Sequence, residues 1–419
     1  MIDAYRRLFG SPGAIPLTTA GLLARMPLSM VGIGLITMVA QHGDGFGLAG
    51  ALAATYAVST AAAAPQVSRL VDRLGQRRVI PAAAAVSVAA LGALLLTSAR
   101  SGPAGLLFVF AIGAGAAPSA PALVRARWTE LHRDSPLLHT AFSWETVLDE
   151  VCFIVGPPIS IGLSVALFPE AGPLVAGVLL LAGTIWLAAQ RRTEPPSGAV
   201  ERRSPTGVLR HRVVWVLALV MVAMGTIAGT IDVASVAFAQ RQGEPAAASV
   251  VLSLYALGSC VSGFVFGSRT PARSVERLLA LAMLATAAMT LPLLLVNSIA
   301  ALAAAMLLSG VFFAPAMILS GQVVESHVPP RALTEALTWS TAGLGLGIAI
   351  GPAVAGPIID AFGARAAFGV TVAAGAAVAI LAVVIHRTLR APARAESRPG
   401  HNPIPAARTG QDCLNASCQ

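Results

Sequence analysis

Five ionisable residues stand inside long apolar runs of this 419-residue chain. Arg25 lies in the run 17–40. Glu145, Asp149 and Glu150 lie in 140–168, and Asp232 in 213–239. Placing an ionised side chain at the centre of a bilayer costs about 2.5–3.5 kcal/mol on insertion scales. Such a group therefore faces a partner or a water-filled space. Glu145 and Asp149 are four residues apart and share a helical face. Glu150 sits about 100° further round the helix. Arg25 lies at a similar depth to these carboxylates, because both runs cross in the same direction. It can pair with Asp149 or Glu150, which leaves one or two carboxylates free to carry a proton. Two static readings stand beside that one: a fixed network that orders the two helices, and a Glu145 that is merely interfacial. Asp232 comes late in its run, near the far mouth. It is a second titrating group, a group that attracts cations, or an interfacial residue.

Other chemistries find no support. The seven histidines fall in loops, at run ends or near the C-terminus, and no pair has metal-ligand spacing. Four cysteines (Cys152, Cys260, Cys413 and Cys418) form no CxxC pair. There is no Walker loop, no HExxH and no GxSxG in a strand-to-helix context. No metal and no cofactor are expected.

The elements that carry the charges are membrane spans. The chain is 56% hydrophobic and only 11% charged, against roughly 25% charged in soluble domains. Its mean hydropathy is +0.77. That excludes a soluble enzyme, a nucleic-acid-binding domain and a disordered chain. The net charge of +9 comes from arginine alone, since lysine is absent, and the arginines sit in short links between apolar runs. A span needs about 20 apolar residues. Twelve candidates follow: 17–40, 48–67, 79–99, 103–124, 140–168, 172–190, 213–239, 246–267, 277–297, 299–324, 333–357 and 364–385. Helices are the form expected, because lipid offers no partner to backbone groups. Only Arg100, Arg241 and Arg365 fall on one side; almost all other arginines fall on the opposite side. The positive-inside rule then puts both termini in the cytoplasm, with the plasma membrane as the location. The expected units are 1–190 (six spans), a charged central loop 191–212, 213–386 (six spans) and a disordered tail 387–419.

The two sets of six spans look related. Trp144 and Trp339 each precede a Gly-Pro pair by twelve residues: Gly156-Pro157 and Gly351-Pro352. Gly113 and Pro118 match Gly310 and Pro315, and Tyr56 matches Tyr255, with all offsets between 195 and 199. Two parallel repeats imply a pseudo-two-fold axis along the membrane normal and a central cavity between them. The link SRLVDRLGQRR (Ser68 to Arg78) resembles the loop signature of the major facilitator superfamily, through Leu70, Asp72, Arg73, Gly75 and Arg77. Ser68 and Gln76 depart from it. The resemblance extends over almost the whole chain. It implies an all-α membrane protein of twelve helices in two six-helix halves around a central cavity. It also implies a conformational latch built from Asp72, Arg73, Gly75, Arg77 and Arg78. The matching second-half link, GSRTPARSVER, has no Asp, so the latch would be asymmetric. Gly156-Pro157 resembles the G-x-x-x-G-P motif of family antiporters, with Cys152 in place of its first Gly. Span eleven has a fuller version in Gly347, Gly351, Pro352 and Gly356. Small residues four apart let helices approach closely, which suits a rocking interface.

The function implied is secondary active transport by alternating access, without enzymatic chemistry. Proton-coupled export of a small amphipathic or lipophilic compound leads, because Ala, Leu and Val dominate the spans and aromatics are only 5%. Proton-coupled uptake of a small, anionic metabolite held by Arg25 is the runner-up. A non-transporting sensor or scaffold and a membrane enzyme come last. The expected partners are the substrate, protons and the lipid bilayer, with a monomer as the family default and no nucleic acid.

Overall fold

The structure is a computed structural model, and its described residues are 2–133, 135, 137–196, 212–267, 274–328 and 330–390. The disordered tail expected from 387 therefore lies mostly outside the described residues, as does most of the central loop. Within them the chain is helical. In the first half α1 is Ile2–Phe9, α2 Ala14–Arg25, α3 Pro27–His42, α4 Phe46–Leu74 and α5 Gln76–Ala99. It continues with α6 Ala104–Ala114, α7 Ala120–Leu131, α8 Leu137–Ala166 and α9 Ala171–Ala189. The second half holds α10 Arg212–Arg241, α11 Ala247–Gly267, α12 Val275–Thr290, α13 Ile299–His327, α14 Pro330–Phe362 and α15 Ala364–Arg390.

Among the described residues eleven stretches are long and apolar enough to cross a bilayer, and α6 is a shorter apolar helix. α2 and α3 make one of these stretches, stepping at Met26, because Pro27 has no N–H to give the preceding turn. The fourth span corrects the sequence expectation of an unbroken helix over 103–124. Residues 115–119 separate α6 from α7. Pro118 cannot donate a backbone hydrogen bond there, and Gly115 presses on Ser59 of α4 with no room for a side chain. The second span is longer than expected and runs to Leu74. An amphipathic helix that the hydropathy pattern did not reveal, α1, packs beside α8. Its Tyr5 and Phe9 meet the Trp144 ring edge-on, at centroid distances of 6.1 and 5.2 Å.

Two of the corners are nearly identical. A single glycine joins α4 to α5 (Gly75) and α14 to α15 (Gly363), and both have φ of 88°. Only glycine takes that backbone without strain. In each corner the glycine N–H donates to the carbonyl four residues back, at 2.8 Å. Within the first half α5 packs on α9 and α3 on α8; within the second, α10 packs on α14 and α11 on α13. The halves meet where α4 lies along α14 and α8 along α11.

Candidate functional site

Arg25 ends α2 and is 1% exposed. Every nitrogen of its guanidinium is engaged. Nε donates to the Gly21 carbonyl at 3.2 Å. Nη1 donates to the Glu145 carbonyl at 3.1 Å and to Asp149 Oδ1 at 3.0 Å. Nη2 donates to Glu145 Oε2. Glu145 is fully buried, and its second oxygen accepts from the indole Nε1 of Trp128 at 2.8 Å. Asp149 Oδ2 accepts from Arg125 at 2.9 Å. Two arginines and two carboxylates thus form a neutral chain linking α2, α7 and α8. Its centre, the Arg25–Glu145 pair, is buried, while Asp149 and Arg125 are partly exposed. Removing one member of the buried pair strands a charge. His132, which caps α7, stacks on Trp128 with 5.8 Å between centroids, and burial lowers its imidazole pKa.

Three features differ from the expected pairing. Arg25 holds Glu145 as well as Asp149. It does not hold Glu150. Glu145 is no interfacial residue but the most enclosed carboxylate of the set. Trp128 and Arg125, which complete the network, went unrecognised because they sit beyond the break in the fourth span.

Glu150 and Asp232 behave differently. Both are half-buried and carry no ion pair or side-chain hydrogen bond among the described residues. Glu150 is close enough to Cys260 of α11 for its charge to be felt there, across the boundary between halves. Asp232 is close enough to Tyr255 of α11, within its own half, for its charge to be felt there. Its position, nine residues before Arg241, puts it about 14 Å from that end of α10. The Tyr255 hydroxyl is enclosed and has no hydrogen-bond partner among the described residues. Among the described residues no group of three His, Cys, Asp or Glu could hold a metal ion.

The latch loop is solvent-facing. Asp72, Arg73, Arg77 and Arg78 are exposed, and Asp72 has no ion pair or side-chain hydrogen bond among the described residues. One of the first backbone donors of α5 is met from the segment that follows α9, Arg77 N–H donating to Glu194 at 2.8 Å. Arg127 is a buried staple. It donates to Gln76 at 2.7 Å and to the Gln190 carbonyl and Thr193 hydroxyl at 2.9 Å.

The glycine motifs divide between two kinds of contact, which corrects the idea that they jointly form the rocking interface. Gly156, followed by the buried Pro157, packs on Ser29 inside the first half. Gly347 and Gly351 pack on Val222 and Thr230 of α10 inside the second half. Only the later part of the motif crosses over: the Pro352 carbonyl meets Gly50, and Gly356 meets the Phe46 carbonyl of α4. Spans one and five, like seven and eleven, are neighbours within a half, so their small residues tighten that half. The halves are joined nearer the arginine-poor face. Asp360 accepts from the backbone N–H of Phe46 at 2.7 Å and of Gly47 at 2.6 Å. Gln240 donates to the Ala40 carbonyl at 3.0 Å, and Ser253 to the Ile154 carbonyl at 3.2 Å.

The helix order, the repeat and the glycine contacts define a two-half membrane transporter fold. The sequence profile of the Major Facilitator Superfamily matches residues 17–268 and 233–411. The chain belongs to that superfamily. Among solved structures it is similar to a mutant of the nucleoside transporter NupG, with TM-score 0.70 at 12% identity, covering 90% of this chain and 99% of that one. It is also similar to a bacterial homologue of the human lysosomal transporter Spinster (TM-score 0.67, 15% identity, 89% and 96% covered). A POT family transporter in complex with a thioalcohol-conjugated peptide is similar too (TM-score 0.67, 12% identity, 88% and 94% covered). No curated protein matches the chain. The protein is therefore a multi-pass membrane transporter of the major facilitator type, a non-enzymatic role.

Proposed function

We propose that the protein is a proton-coupled exporter of small amphipathic or lipophilic compounds, working by alternating access at the plasma membrane. The observation that carries this is the contrast between two sets of intraspan charges. Glu145 and Asp149 are tied into a neutral network, and taking up a proton there would break existing hydrogen bonds. Glu150 and Asp232 have no fixed partner to lose among the described residues, so a proton, or a cationic part of a substrate, can come and go. They are the coupling carboxylates in this reading. The network built on Arg25 orders spans one, four and five around them.

The arginine bias makes the arginine-rich face cytoplasmic. The halves then touch toward the outside, and the state is inward-facing. The similar Spinster homologue was captured in an inward-facing conformation. Uptake of an anion bound by Arg25 loses its support, because that guanidinium is saturated and shielded from solvent.

The test is retention of lipophilic dyes and antibiotics by efflux-deficient cells expressing the protein, with and without a protonophore. Lower retention is expected, abolished by the protonophore and by the double variant Glu150→Gln/Asp232→Asn at equal expression. Retention unchanged across the panel overturns export of such compounds. Export that survives in the double variant overturns the assignment of coupling to these carboxylates.

A further inference from the structure

α4 and α14 run side by side in opposite directions, and each ends in the same way. α4 closes on Asp72-Arg73-Leu74-Gly75 and α14 on Asp360-Ala361-Phe362-Gly363. Both aspartates stand two residues before the helix end, and both glycines hold φ of 88°. The two corners are thus one structural unit placed at opposite faces of the molecule. In this structure they are in opposite conditions. Asp360 is engaged across the two halves, accepting from the first two N–H groups of α4. Asp72 is exposed and unpartnered among the described residues.

We propose that Asp360 is the latch of the arginine-poor face: its carboxylate caps the N-terminus of α4 and holds the two halves together there until the transporter turns over. The proposal rests on the alternating-access reading above, but not on any substrate or coupling ion. The chemistry suits the task. The first turn of a helix has backbone N–H groups without helical partners and the positive end of the peptide dipole. A carboxylate satisfies both, by hydrogen bonds stronger than neutral ones. The contact sits where the backbones are already pressed together. Gly45 has φ of 86°, and a Cβ there would stand 3.1 Å from Asp360 Oδ2; one on Gly47 would stand 2.9 Å away. Glycine at both positions is what admits the carboxylate. The contact is also solvent-exposed, so water can replace it and the latch can release. A fully buried carboxylate would be left uncompensated on release and so would hold the closed state more tightly. The matching corner at Asp72 gives the opposite face a group of the same geometry, idle in this state. The two corners therefore work in opposite phases, one engaged while the other is open.

The experiment measures the spacing of the halves directly. In a variant lacking the native cysteines, spin labels at Ala104→Cys and Glu244→Cys report the distance between halves at the arginine-poor face, by double electron–electron resonance in nanodiscs. Without a latch variant the short-distance population dominates. Asp360→Ala is expected to raise the ratio of long to short distances about tenfold, the size expected from losing roughly one net charge-assisted hydrogen bond. Asp360→Asn keeps one acceptor oxygen and should fall between. Asp72→Ala should shift the ratio the other way, toward short distances. An unchanged distribution in a monodisperse Asp360→Ala protein overturns the latch. A shift in the same direction for Asp72→Ala and Asp360→Ala overturns the opposite phasing. If dye export fails while these shifts occur, the substrate reading is wrong and the latch stands.

Discussion

At the scale of the residue, the neutral network around Arg25 sets a measurable asymmetry between its members. Breaking a buried pair by removing one partner costs about 3–5 kcal/mol, while replacing both with apolar groups of similar volume is often close to neutral. Arg25→Met and Glu145→Leu are therefore each expected to lower thermal stability in detergent sharply. The double variant should recover much of the loss, so that the two effects are far from additive. Additive losses would mean that the pair is not coupled. Part of this network could be read in the sequence. The equal depth of Arg25 and the span-five carboxylates in two runs of the same direction was enough to offer Asp149 as one of two partners. The role of Glu145 could not be read, because its second partner, Trp128, lies on a different helix beyond a break that hydropathy does not mark. Arg127 likewise falls among the arginines of the arginine-rich face; only the fold shows Gln76, Gln190 and Thr193 converging on it. Asp360 went unnoticed in a loop-end position, although the repeated Asp-x-x-Gly at both corners was there to be found.

At the scale of the element, the small residues of α4 and α14 separate two functions that composition merges. A side chain on Gly347 would strike the Val222 carbonyl inside the second half, whereas one on Gly50 would strike the Pro352 carbonyl across the halves. Overpacking of this kind typically costs about 1–3 kcal/mol. Gly347→Ala should therefore lower the melting temperature of the protein in every conformation. Gly50→Ala should bear on one conformation, forcing the halves apart at the arginine-poor face. Melting curves together with the inter-half distance measurement distinguish the two. An equal melting loss with no distance change in Gly50→Ala would contradict this division. The spans themselves were legible because twenty apolar residues leave few alternatives. The broken fourth span was not, since Pro118 and Gly115 are tolerated in spans of many kinds. The amphipathic α1 was hidden by its short length and its two arginines.

At the scale of the whole molecule, twelve crossings and one arginine-rich face give a simple expectation for sidedness. In intact cells a membrane-impermeant thiol reagent should label cysteines at Arg100 and Arg365 from outside. A cysteine at Arg78 should react only after permeabilisation. Labelling of Arg78→Cys in intact cells would reverse the orientation. The same architecture was legible from the offset matches between repeats, because related halves preserve the glycines and prolines that their packing needs. The way the halves lean in this structure was not, since the sequence carries the contacts of both leanings at once. The one-residue corners at Gly75 and Gly363 have a consequence for motion. A single residue advances the chain by at most about 3.8 Å. The helix ends on either side of such a corner cannot be drawn apart without unwinding a turn. α4 with α5, and α14 with α15, therefore travel along the membrane normal as pairs whenever the halves move.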